Sequence, residues 1–368
     1  MMQVGKPVRG REFVGREKEI KEIINYLIIG QSVVIIAPRR FGKTSLVLEI
    51  LRRLRLKKEY IGYVDIFANA TIRQLTQSII EEVLDNNGLK KSYQKTKNSI
   101  TSLIKNLNLK AIVEEFEFIL SMHDPSIDEW ANFEDSIDFI NDFADKASKK
   151  IFFAFDEYGD TLKYDASQEI IKMMRSKIQS QSSACYLFSG SYESVMETLF
   201  VDSKSPFYRL ARVINLGYLG FDELKNYMVK KLASYEIKYN EQLIEDMLDF
   251  LKGHPYYSQL ALQQMYLFHM TKGKPPSFHE LLNIIVQTDR NYLEKIWEDL
   301  SGSKENVFIL KHLSHQPTGI YKMANQRNIN ASRAIKKLEG QGIIFKKDGG
   351  YYFYDPVFEY WIAETINL

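Results

Sequence analysis

Lys43, Thr44, Asp156 and Glu157 are the residues of this chain whose types and settings could act together on a phosphate. Gly42-Lys43-Thr44-Ser45 closes the short loop Pro38-Arg39-Arg40-Phe41, which follows an apolar run from Val33 to Ala37. Amides around a glycine in such a turn can point into one concavity and cradle phosphate oxygens, helped by the positive end of the helix that follows. The Lys43 ammonium can reach the β- and γ-phosphates, and the Thr44 hydroxyl can ligate Mg²⁺. The layout is strand–G-x-x-x-x-G-K-[ST]–helix with Ala37 at the first glycine position, a mild departure because a small residue still lets the chain turn. A Gly-Lys-Thr that merely opens a helix is the plainer reading. The hydrophobic strand directly before it favours phosphate binding.

Asp156 and Glu157 end the run Ile151-Phe152-Phe153-Ala154-Phe155. Asp156 would hold Mg²⁺ directly or through water. Glu157 would orient and deprotonate the attacking water. A polar strand terminus capping a helix is the alternative, and it loses ground beside the phosphate loop. Ser189 or Ser191 could hydrogen-bond the γ-phosphate or the water, although a Ser-Gly-Ser turn explains them nearly as well. A guanidinium on the γ-phosphate would stabilise transition-state charge. Arg209 and Arg212 stand just before a last strand and could serve within this chain or on a neighbour, or be ordinary surface arginines. Arg39 and Arg40 either contact phosphate or face solvent.

The elements that must position these groups read as a parallel sheet. Strands are expected at Val33 to Ala37, Ile61 to Phe67, Lys150 to Glu157, Ala184 to Ser189 and Val213 to Leu216, alternating with helical segments. Such alternation predicts a sheet covered on both faces, with ligands at the carboxyl ends of its strands. Thr44, Asp156 and Ser189 all fall at or just beyond such ends. Residues 1–12 read as a loosely held basic arm, and residues 86–145 interrupt the pattern. In that interruption six lysines (Lys90, Lys91, Lys95, Lys97, Lys105, Lys110) precede a block of eleven acidic residues from Glu114 to Asp145. Solvated helix faces explain such blocks better than a binding site does.

From Phe221 the chain reads as helices only, and from Ser303 as three helices and a hairpin around Asp348-Gly349-Gly350. That is a winged-helix outline. Residues 304–368 carry nine Lys and Arg against six Asp and Glu. Arg333, Lys336 and Lys337 fall on the recognition-type helix, with Lys346 and Lys347 on the wing, where phosphate contacts would be expected.

With 368 residues, two or three domains are expected. A hydrophobic content of 45% and a charged content of 26% are those of a soluble globular protein. The net charge of +2 decides nothing about nucleic acid. The single cysteine, Cys185, sits in an apolar run and reads as a small core residue. No signal-peptide pattern and no apolar run of membrane-spanning length occur, so a cytoplasmic chain without a membrane partner is expected.

The order of these motifs resembles the archaeal P-loop ATPase family, in the STAND branch close to the AAA+ proteins. The matching pieces are Phe13-Val14-Gly15-Arg16-Glu17, Ala37 through Thr44, Phe155-Asp156-Glu157, Ser189-Gly190-Ser191, Ser205 through Arg209 and Gly253-His254-Pro255. The resemblance implies an α/β P-loop NTPase fold of five parallel strands, with the Asp156 strand separated from the P-loop strand by another. A helical lid and a C-terminal winged-helix domain would follow. It also implies ATP or ADP with Mg²⁺ as ligands, Val14, Gly15 and Arg16 near the adenine, and residues Ala37 to Ser45 around the phosphates. His254 and Pro255 would bring the lid onto the nucleotide. Lys43, Glu157, Ser189 and Arg209 would be catalytic, and Thr44 and Asp156 would hold the metal. Domains are expected at 13–220 (ATPase, containing the 86–145 interruption), 221–302 (lid) and 303–368 (winged helix).

Three functions fit these expectations. One is an ATP-hydrolysing switch whose nucleotide state is coupled to the lid and to a winged helix that meets DNA or a protein partner. The second is a DNA-binding protein, in replication or regulation, with a secondary nucleotide site. The third is a STAND-type sensor that assembles when ATP is bound. Glu157 favours hydrolysis.

Overall fold

The computed structural model describes residues 4–87, 128–191, 193–205, 207–327 and 329–366. The six lysines from Lys90 to Lys110, the acidic residues up to Asp124, and Pro206 lie outside the described residues.

Helix α1 (Glu17–Ile28) leads to strand β1 (Val33–Ile36), helix α2 (Lys43–Leu56), strand β2 (Tyr60–Asp65) and helix α3 (Ile72–Asp85). Helix α4 (Glu129–Lys146) precedes strand β3 (Ile151–Asp156), helix α5 (Ser167–Ser180), strand β4 (Ala184–Gly190), helix α6 (Glu193–Phe200) and strand β5 (Arg212–Asn215). The five strands are all parallel, in the order β2-β3-β4-β1-β5. The strand carrying Asp156 is thus separated from the P-loop strand by β4, as the family resemblance implies. All six residues of β3 are buried, which suits a central strand with helices on both faces.

Strand alternation sorts the core into two layers. Val33, Ile35, Phe152, Ala154 and Leu187 pack with α1 and α2 on one face. Val34, Ile36, Phe153, Phe155 and Phe188 pack with α3, α4 and α5 on the other. Cys185 is a buried free thiol in the first layer, with its Sγ 3.9 Å from the Ser32 Oγ.

The acidic interruption narrows accordingly. Phe133, Ile137, Ile140 and Phe143 of α4 are core residues, so the acids Glu134, Asp135 and Asp138 line the outer side of a helix that belongs to the sheet's cover. The described part of the N-terminal arm is also held rather than loose at Val8, Gly10 and Glu12. The Val8 N–H donates to the Ser45 Oγ at 3.1 Å, the Gly10 N–H donates to Glu49 at 3.3 Å, and Lys231 donates to Glu12 at 2.5 Å.

Helices α7 (Phe221–Ser234), α8 (Glu241–Leu251), α9 (Pro255–Lys272) and α10 (Phe278–Ser301) follow the sheet. Then come α11 (Lys304–Leu313), α12 (Ile320–Gln326), α13 (Ala331–Gly340), the antiparallel pair β6 (Ile344–Lys347) and β7 (Gly350–Phe353), and α14 (Pro356–Trp361). The last six have the element order of a winged helix. Asp348 and Gly349 adopt φ of 47° and 81°, the double left-handed conformation that a two-residue hairpin turn requires. Buried residues from α7 through α14 form one contiguous cluster, in which Leu260, Ile285 and Leu300 join Ile309, Leu338 and Phe358. The four helices after the sheet and the last six elements therefore share a core. Among the described residues no helix is long and apolar enough to cross a membrane.

Candidate active site

Helix α2 begins at Lys43, directly after Gly42 in a left-handed conformation at φ 82°. The turn aims the loop's amides and the helix's N-terminal N–H groups toward the carboxyl ends of the strands. The Lys43 ammonium, 4% exposed, donates to the Ala37 carbonyl at 2.8 Å and the Pro38 carbonyl at 2.9 Å. The Thr44 Oγ1 donates to the Asp156 Oδ2 at 2.7 Å, linking two segments 112 positions apart. Asp156 also accepts the Tyr63 hydroxyl at 3.0 Å and the buried Ser189 hydroxyl. Glu157 takes the left-handed conformation at φ 49°, and its carboxylate accepts the Ser191 hydroxyl at 2.5 Å and the Ser191 N–H at 3.1 Å. The Tyr63 hydroxyl is driven above its ordinary range, first by burial and then by the Asp156 charge. It therefore stays a proton donor to that carboxylate.

Of these groups Lys43, Thr44, Glu157 and Ser191 border a cavity of about 390 Å³. Lys43, Thr44, Ser45, Gly42 and Glu157 line its end at the loop and the β3 terminus. Val14, Arg16, Leu219, Pro255, Tyr256 and Gln259 contribute to its walls, together with Gly5 to Val8 of the arm. The size and the mixture of apolar walls with a few convergent polar groups suit a small-molecule site. Arg16 is fixed by hydrogen bonds from its guanidinium to the Gly217 carbonyl at 2.5 Å and to Glu19 at 3.0 Å. Gly15 has φ 72°, a backbone conformation that a side chain would strain, and a Cβ there would displace the Glu223 carboxylate, 2.9 Å away.

The loop's other side faces the helical elements. Arg40 pairs with Asp289 on α10 at 2.5 Å, and its guanidinium lies over the rings of Tyr292 and Tyr256 at 3.5 Å and 4.1 Å. Phe41 packs against Tyr218, Tyr354 and His254, the last at 4.8 Å between ring centres. His254 is 2% exposed and caps α9, and burial is the first cause holding its pKa down at about 3, with the Arg40 charge second. It is therefore a neutral packing and capping residue. Gly253 before it has φ 75°, and a Cβ there would lie 2.3 Å from the Leu219 carbonyl. The Gly253 carbonyl accepts the Leu219 N–H at 2.9 Å, which seats α9 on the linker from the sheet. A second cavity of about 340 Å³ lies here, lined by Pro38, Arg39, His254, Tyr292 and Asp355 among others.

Of the residues expected to surround a nucleotide, Val14, Arg16, Arg40, Phe41, Gly42, Lys43, Thr44, Ser45, Glu157 and Pro255 border the first cavity. Ala37 lies below it as a carbonyl acceptor, while Pro38, Arg39 and His254 border the second. Asp156 and Ser189 sit behind Thr44, so Ser189 supports the carboxylate rather than facing the cavity. Of the two places expected for Arg209, this chain's own site and a neighbour's, the structure removes the first. Arg209 is exposed, and it precedes β5, whose Arg212 pairs in parallel with Val33 at the start of β1. Arg209 thus stands at the opposite edge of the sheet from this chain's own phosphate loop. Sequence reading missed Tyr63, Leu219, Tyr256, Gln259 and the arm. Only cross-strand and cross-domain proximity brings them in, and no local pattern marks it.

Two hard oxygen donors, the Thr44 hydroxyl and the Asp156 carboxylate, face each other beside the loop. Mg²⁺ bound partly through nucleotide phosphates takes such a pair, so the residues fit this ion.

Comparison with known proteins agrees with this architecture. The Walker-type ATPase of Pyrococcus abyssi superposes with a TM-score of 0.72 at 17% identity, covering 98% of this chain and 99% of that one. The Aeropyrum pernix ORC2 protein, in its ADPNP–ADP complexes, gives 0.56 at 11% identity, with 98% of each chain covered. The ADP form of the same ORC2 protein gives 0.52 at 12% identity, covering 95% of this chain and 91% of that one. At such identities the likeness concerns the fold. A search of curated proteins finds no significant sequence match. At the level of families, residues 13–260 match the ATPase domain found predominantly in Archaea. That match takes in the phosphate loop, the Asp156 strand and the first helices beyond the sheet, and the chain belongs to this archaeal-type ATPase family.

Proposed function

We propose that the chain is a Mg²⁺-dependent switch that binds ATP in the cavity beside Lys43 and hydrolyses it to ADP and phosphate. The observation that carries this reading is the 2.7 Å hydrogen bond between Thr44 and Asp156, with Lys43 and Glu157 opening on one cavity. Lys43 would exchange the Ala37 and Pro38 carbonyls for phosphate oxygens. Thr44 and Asp156 would hold Mg²⁺, which when bound neutralises charge on the β- and γ-phosphates. Glu157 would leave the Ser191 hydroxyl to accept a proton from the attacking water. Val14, Arg16, Pro255 and Tyr256 would wall in the base and sugar, which brings residues before the sheet and residues of α9 to one ligand.

Residues 13–220 would act as the ATPase domain, with 221–302 and 303–368 moving together as one body because their buried side chains are continuous. Arg333, Lys336 and Lys337 on α13 and Lys346 and Lys347 on the hairpin are all exposed. That surface supports DNA phosphates as the contact for the winged-helix elements. If so, DNA affinity falls steeply with salt, and replacing Lys336 and Lys337 flattens that slope. A flat slope in the wild type would remove the DNA reading and leave a protein partner.

The central test is phosphate release. Lys43→Ala should lose ATP binding in calorimetry, and phosphate release with it, because it removes the ammonium that would replace its Ala37 and Pro38 carbonyl partners by phosphate oxygens. Retained Mg·ATP affinity in Lys43→Ala would overturn the assignment.

A further inference from the structure

Arg40 belongs to the phosphate loop, yet its guanidinium is held by another part of the molecule. The residue borders both cavities and has a left-handed backbone at φ 68°. Its partner Asp289 lies 249 positions away, is 7% exposed, and accepts a second hydrogen bond from the Tyr256 hydroxyl at 2.8 Å. The rings of Tyr256 and Tyr292 cover the guanidinium from α9 and α10. A left-handed backbone carries a steric cost for a residue other than glycine, which its surroundings can offset. Here a buried carboxylate and two aromatic faces do so, each a favourable partner for a desolvated arginine. A guanidinium satisfied in this way gains little by turning to phosphate.

We infer that Arg40 is a positioning residue: its cage on α9 and α10 holds the phosphate loop in its nucleotide-binding shape and ties nucleotide affinity to the placement of the helical body. The inference rests on nucleotide occupying the cavity beside Lys43. Coupling of this kind is reciprocal, so the nucleotide must also stabilise the cage.

The test uses ADP titrations by calorimetry and amide exchange along α10, with the full chain. Asp289 does not border the nucleotide cavity, so a change there reports coupling rather than contact. Asp289→Asn and Arg40→Lys should each weaken ADP binding about tenfold, and the double variant should be no weaker than the worse single one. Asp289→Glu should recover most of the affinity. ADP should slow exchange along α10 in the wild type and not in Asp289→Asn. Unchanged affinity in Asp289→Asn, effects that multiply in the double variant, or α10 exchange indifferent to ADP in the wild type would each overturn the inference. Should Asp289→Asn fail to fold, Tyr292→Leu keeps the ion pair and removes one ring. It should weaken ADP binding about threefold, and no change there would overturn the inference equally. A wild type that takes up no ADP would remove the nucleotide reading as well, whereas a binding wild type beside an indifferent Asp289→Asn removes this inference alone.

Discussion

The two sides of the phosphate loop are built from different materials. Toward the sheet, short hydroxyl and carboxylate contacts dominate: Thr44, Tyr63 and Ser189 all donate to Asp156, and Ser191 donates to Glu157. Toward the helices, rings dominate, with Phe41 set among Tyr218, Tyr354 and His254 and Arg40 between two tyrosines. The difference separates chemistry from mechanics. A substitution on the first side should alter rate with little cost in stability, and one on the second should alter stability first.

The largest effect that sharpens this contrast is expected from Glu157→Gln. Phosphate release should fall by about 10²–10⁴ if the carboxylate is the base, with ATP affinity and urea midpoint retained. A matching drop in stability would blur the two sides into one. Phe41→Ala is the counterpart on the helical side. Phe41 is 1% exposed, and removing its ring should cost ~3–5 kcal/mol in urea unfolding. A loss under about 1 kcal/mol would show that the ring cluster adds little.

His254 gives a smaller effect with a definite sign. Its folded pKa of about 3 lies below the ordinary 6.5, so the stability it contributes is full above 6.5 and is lost as pH falls, while the unfolded chain takes up the proton. Between about pH 7 and about pH 5 the loss from this group should be ~2 kcal/mol. Asp355, pushed up to about 6 by burial, works in the opposite sense over part of that window. The measurement is therefore the difference between the wild type and His254→Asn, which keeps a capping acceptor. Parallel pH profiles for the two proteins would contradict a neutral buried imidazole.

Tyr63→Phe should be mildest, costing about tenfold in turnover with the protein equally stable. The remaining donors to Asp156 limit the damage. Unaltered turnover would mean that the tyrosine merely fills space beside the carboxylate.

Sequence reading succeeded where chemistry and structure are set by neighbours along the chain. The β3 run is apolar without a break and ends in carboxylates, and the Asp348-Gly349 turn declares its own backbone geometry. Reading failed where strand direction or distant packing decides. Arg209 sits beside a strand as Asp156 does, but before β5 rather than after it, and in a parallel sheet that puts the two at opposite edges. The Arg40 cage joins positions 249 apart, and neither Tyr256 nor Asp289 carries any local mark of its partner. Helix α4 hid its aromatic buried stripe within a heavily acidic composition. The arm's grip on α2 depends on Ser45 and Glu49, which look like ordinary helix polars.

Cys185 provides a native clock for the sheet. It is the chain's single thiol, buried against Ser32, and its pKa is raised to about 11 by burial. Near about pH 8 roughly one thiol in a thousand would be ionised even if a reagent could reach it. Alkylation must then wait for the strands around β4 to part. The labelling rate thus counts excursions of the central sheet, and a ligand that binds only the closed form should slow it in proportion to its occupancy.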